Sequence, residues 1–107
     1  MTIRQRSEIR ENTYRAIDGE RDYQDDGRGN ALRHPEEGTA PMSVGDDIVC
    51  IDKLLLDAKL AWYRPGGLHD ALDHLRKIAA VAVQAMEIHG TPFRPGYGPD
   101  DDPSVLG

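Results

Sequence analysis

The chain has 107 residues, 30% of them charged and only 6% aromatic, with a formal net charge of −6. That length holds one domain, and one so small buries a modest share of its surface, so a partner subunit is expected to complete its core. The acidic balance excludes general binding to nucleic acid, whose affinity comes from neutralised phosphates. The longest apolar stretch, 78–86, is broken by Gln84 and falls short of the roughly 20 residues that span a bilayer. The N-terminus runs straight into charged sequence without an apolar signal core, which predicts a cytoplasmic protein.

The first helix is predicted over 2–24, opened by a capping box in Thr2-Ile3-Arg4-Gln5. Its apolar stripe is thin (Ile3, Ile9, Tyr14, Ile17), and it carries a basic series of Arg4, Arg6, Arg10, Arg15 and Arg21. Such a helix needs tertiary or intersubunit contacts to persist. Residues 25–42 are rich in turn formers and lack periodicity, which reads as a long loop.

Ser43-Val44-Gly45-Asp46 is a second capping signal, and the second helix is predicted over 43–64. Val44, Ile48, Ile51, Leu55, Ala58 and Trp62 alternate four and three apart, which places them on one predicted core stripe. Cys50, the lone cysteine, sits in this apolar run and is expected to be a buried structural thiol. Pro65 disfavours helix at its predecessor, and Gly66-Gly67 supplies a tight turn. The third helix, 68–89, carries Leu68, Ala71, Leu75, Ile78, Ala82, Ala85 and His89 on a stripe of the same alternation and stops at Gly90 before Pro92.

The expected architecture is therefore all-α: a helical hairpin plus an N-terminal helix in one domain over 1–90. A Pro- and Gly-rich tail over 91–107 is expected to be extended. Val81, Val83 and Met86 surround the third helix and point to a second subunit packing there, making an oligomeric helical bundle.

Two clusters could carry chemistry. Glu20, Arg21 and Gln24 close the first helix, and a carboxylate, a guanidinium and an amide together can hold a phosphate or a base edge. Asp70 and Asp73 lie one turn apart at the start of the third helix beside His69 and His74, and two such acids are one way to hold Mg²⁺. Arg76 and Lys77 follow and could face an anion. The competing readings are a solvated helix end and a first turn whose acids answer the helix dipole. The sequence contains no Walker loop, GxSxG elbow or HExxH motif, so any hydrolysis would be metal-assisted attack by water.

The order of features, with Glu20, Arg21 and Gln24 ahead of a Gly-rich loop and a last helix reading Leu-Arg-Lys-Ile-Ala-Ala-Val-Ala-Val-Gln-Ala-Met-Glu over 75–87, resembles small MazG-like proteins common in bacteriophages. The resemblance implies an oligomeric all-α nucleoside triphosphate pyrophosphohydrolase fold with Mg²⁺ held between helices by acidic pairs, acting in the host cytoplasm if phage-encoded. Carried over, Glu20, Asp70 and Asp73 are the metal-side residues, with Arg21, Gln24, Arg76 and Lys77 toward the nucleotide. The second helix departs from the pattern, since Asp47, Asp52 and Asp57 recur every five residues and share no face. Three readings follow: a Mg²⁺-dependent nucleotide pyrophosphohydrolase, a non-catalytic sponge for a nucleotide-derived immune signal, or a protein-interaction module using the loop and tail.

Overall fold

The computed structural model describes residues 1–26 and 42–99. Within them lie three helices, α1 (Ile3–Asp25), α2 (Val44–Trp62) and α3 (Leu68–His89), and no strand. The loop expected over 25–42 lies outside the described residues from 27 to 41, as does the acidic end of the tail, 100–107. None of the described helices is long and apolar enough to cross a membrane.

Both predicted capping boxes form. The Thr2 hydroxyl accepts from the Gln5 amide at 3.1 Å while Gln5 Oε1 accepts from the Thr2 amide at 2.8 Å, and Ser43 and Asp46 make the same exchange at the head of α2. α2 stops two residues short of the predicted Arg64. The Arg64 amide donates back to the Ala61 carbonyl and the Gly67 amide to the Arg64 carbonyl, so 63–67 is already turn. Gly66 takes φ +71°, which a side chain rarely tolerates. Gly67 is required for space: a Cβ there would sit 1.7 Å from the Ala61 carbonyl oxygen.

α3 is the centre of the molecule. α1 and α2 each pack on it and not on one another. Among the described residues the buried apolar ones are Ala58, Ala61, Ala71, Ala80 and Val81, four alanines and a valine, which let the helix axes approach closely but bury little area. The radius of gyration is 16.8 Å, well above the roughly 13 Å of a compact 100-residue domain, and the molecule is flat, 44 × 43 × 22 Å.

Two packing expectations change. α2 turns its Asp47, Ile51, Leu54, Ala58 and Ala61 line inward, whereas Ile48, Leu55 and Trp62 of the predicted core stripe stand 60%, 39% and 59% exposed. Cys50 is half-buried rather than enclosed. The last turns of α3 are covered on a second side by α1 of the same chain: Val81 is 1% exposed, and Val83 lies beside Ile17 and Arg21, with Val83 and Met86 half-buried. α1 docks only through its C-terminal part, since every residue from Met1 to Ala16 is exposed. Beyond α3, residues 90–99 carry no regular structure apart from a turn from Arg94 to Tyr97, and Phe93 and Tyr97 are exposed.

Candidate functional site

Because α1 and α2 flank α3 without touching, a cleft of about 730 Å³ opens between them. α3 forms its floor with Asp73, His74, Arg76, Lys77 and Val81. α1 supplies Ala16, Gly19, Glu20, Tyr23 and Gln24 on one wall, and α2 supplies Cys50, Lys53, Leu54 and Asp57 on the other. Gly19, which lowers the intrinsic stability of α1, leaves this wall without a side chain.

The polar groups of the cleft are paired across and along the helices. Arg76 Nε donates to Glu20 Oε1 at 2.9 Å, tying α3 to α1, and its other end meets Asp73 one turn back. Lys77 Nζ lies 3.7 Å from Asp73 Oδ2, and Lys53 Nζ lies 2.7 Å from Asp57 Oδ2 on the opposite wall. Desolvation pushes the Asp73 carboxyl up, but the hydrogen bond from Arg76 and the charges of Arg76, Lys77 and His69 outweigh it and hold the group below its ordinary value. Asp57 is lowered as well, first by its hydrogen bond from Lys53.

The accessibility of these charges is uneven. The side chains of Lys53, Lys77 and Arg76 are 73%, 38% and 36% exposed, against 28% for Asp57, 36% for Asp73 and 9% for Glu20. Lys53 stands above Asp57 and Arg76 above Glu20, whereas Asp73 is about as exposed as Arg76 and Lys77, so the excess of positive charge at the opening comes from the Lys53 and Arg76 side chains. On the floor, His74 Nδ1 is buried and has no hydrogen-bond partner among the described residues.

Of the residues singled out from sequence, Glu20, Gln24, Asp73, Arg76 and Lys77 meet in this cleft. Arg21 does not line it. Its side chain, 8% exposed, donates from Nε and Nη2 to the two Glu87 oxygens at 3.0 and 2.8 Å, and to Asp25 at 3.0 and 3.3 Å; Nη1 also reaches Gln24 Oε1 at 3.3 Å. Asp70 is exposed and lies outside the cleft. No family model, curated protein or solved structure matches this chain.

The Mg²⁺ ligand set drawn from the sequence does not fit as arranged. Glu20 and Asp73 are both spanned by Arg76, Asp70 stands apart, and among the described residues no three His, Cys, Asp or Glu side chains gather closely enough to hold a metal ion. Sequence reasoning passed over Lys53 and Asp57 as site residues. Their i,i+4 spacing marks a helical ion pair, but only the tertiary placement of α2 turns that pair toward Arg76 and Lys77.

Proposed function

We propose that the cleft binds a phosphate-bearing small molecule of nucleotide type, the ligand class that the MazG-like resemblance implies. The observation that carries this reading is the convergence of Lys53, Arg76 and Lys77 at one opening, with Lys53 and Arg76 more accessible than Asp57 and Glu20, which pair them from the walls. A phosphate brings several acceptor oxygens to such a cluster, and the planar guanidinium of Arg76 can share donors between its carboxylates and the ligand. Tyr23 stands at the wall with its ring 47% exposed, where a base could stack, and His74 Nδ1 offers a polar atom on the floor.

Retention is favoured over hydrolysis. Mg²⁺-assisted attack by water needs carboxylates free to take the cation, and here the Arg76 guanidinium already occupies Glu20 and Asp73. The protein then acts as a sponge that withdraws a nucleotide-derived signal. Cleavage of the polyphosphate is the second reading, and it requires the metal to displace Arg76.

Calorimetric titration of ATP, GTP, their diphosphates, ADP-ribose and a cyclic dinucleotide, with and without Mg²⁺, tests both readings when the recovered ligand is weighed by mass spectrometry. Lys53→Ala and Lys77→Ala should each weaken binding by about one to two decades, the worth of a charge-assisted contact. Arg10→Ala, on the exposed part of α1, should change nothing. Mg²⁺-dependent turnover that Asp73→Asn abolishes would establish hydrolysis instead, and indifference to every nucleotide ends the proposal.

A further inference from the structure

α2 is apolar around most of its circumference. One side meets α3; the outer side presents Ile48, Val49, Leu55, Leu56, Leu60 and Trp62, each between two-fifths and seven-tenths exposed. A helix that is apolar all round belongs in an interior. Six large apolar side chains gathered on one face are more than the singly scattered ones normal for a monomer's surface.

Only two charged residues interrupt this outer face, Asp52 and Lys59. Asp52 and Lys59 are seven residues apart, hence on one line of the helix but about 10 Å from each other, too far to pair within the chain. Both are exposed, and neither has an ion-pair partner among the described residues. They are opposite in sign, and their midpoint falls between Leu55 and Leu56, in the apolar part of the face. Rotating a second α2 by half a turn about that midpoint lays Asp52 of each copy against Lys59 of the other, and Ile48 and Val49 against Trp62 and its neighbours. A two-fold interface must be self-complementary in this way. A partner of different sequence would meet no such constraint.

We infer that two copies of this chain pair through antiparallel α2 helices crossing at Leu55 and Leu56, with reciprocal Asp52–Lys59 ion pairs setting the register. The interface uses none of the α2 residues that wall the cleft (Cys50, Lys53, Leu54 and Asp57), so it leaves the cleft open and does not depend on what the cleft binds.

The test is sedimentation equilibrium of the full chain and its charge-swapped variants. The wild type should weigh twice the 11.9 kDa of one chain at micromolar concentration. Asp52→Lys alone and Lys59→Asp alone set like charges opposite one another and should weaken association by about tenfold or more, since each replaces attraction by repulsion at both symmetry-related pairs. The double variant Asp52→Lys/Lys59→Asp restores opposite signs and should recover wild-type affinity. Both positions are exposed, so circular dichroism should report unchanged helicity at a fixed dimer fraction. A wild-type monomer at 100 µM overturns the inference, and so does a dimer that ignores the single swaps or fails to recover in the double.

Discussion

Replacing Arg21 by Met keeps most of the stem and removes the guanidinium, and with it the bidentate grip on Glu87 and the pair with Asp25. Hydrogen bonds to charged groups contribute about 1.5–3 kcal/mol when well buried, whereas exposed ion pairs contribute about 0.2–1 kcal/mol. Arg21 is 8% exposed, but the Glu87 and Asp25 side chains are each 53% exposed and return to water when the arginine goes. The discounted Arg21–Glu87 coupling is therefore about 1 kcal/mol, and the whole substitution, with lost packing of the stem, costs about 2 kcal/mol. For a domain of this size that lowers Tm by roughly 8–16 °C. A double-mutant cycle of Arg21→Met and Glu87→Gln, followed by thermal circular dichroism, isolates the pair. Because α1 forms a wall of the cleft, loosening it should weaken nucleotide binding by a similar factor in Arg21→Met and Glu87→Gln. The reasoning is refuted if Arg21→Met leaves Tm unchanged, or if it alone abolishes binding while Glu87→Gln binds like wild type, since Arg21 would then touch the ligand directly.

Gly67→Ala should be the most damaging single-methyl addition in the chain, because its Cβ would fall 1.7 Å from backbone that cannot give way without opening the hairpin. A loss of about 3 kcal/mol is expected from urea unfolding, against about 1 kcal/mol for Gly66→Ala, where only the positive φ is strained; equal midpoints would disprove the steric account. Acid should undock α1 and loosen the cleft. Glu87 is held below its ordinary 4.5 by the Arg21 hydrogen bond, and Asp73 lies below its ordinary 3.8. Carboxylates with depressed folded values contribute stability that is complete above the unfolded values and drains away as pH falls below about 4.5 through the folded ones. Urea midpoints that stay flat from pH 6 to pH 3, or that rise on acidification, would contradict this sign.

Helix boundaries were legible in the sequence because they are set locally. The capping boxes at Thr2 and Ser43, the turn at Pro65-Gly66-Gly67 and the stop at Gly90 each draw on neighbours within a few residues, and each appears where the pattern places it. Five of the seven singled-out residues share the cleft because Glu20 and Gln24 lie one turn apart on α1, and Asp73, Arg76 and Lys77 one turn apart on α3. The inward face of α2 was not legible. The alternation of four and three is met by Asp47, Ile51, Leu54, Ala58 and Ala61 as well as by Val44, Ile48, Ile51, Leu55, Ala58 and Trp62, and a helix apolar on both sides supplies no contrast to choose between them. Tertiary packing chose the line whose alanines let α2 approach Ala71 and Val81 of α3. The partners of Arg21 and Arg76 were likewise decided only in three dimensions. Glu87 is 66 residues from Arg21 and Glu20 is 56 from Arg76, separations at which no helical periodicity relates one residue to another. Arg21 is one residue from Glu20, yet that 100° step carries its guanidinium past Gln24 to the neighbouring flank of the α1–α3 contact, toward Glu87 and out of the cleft lining.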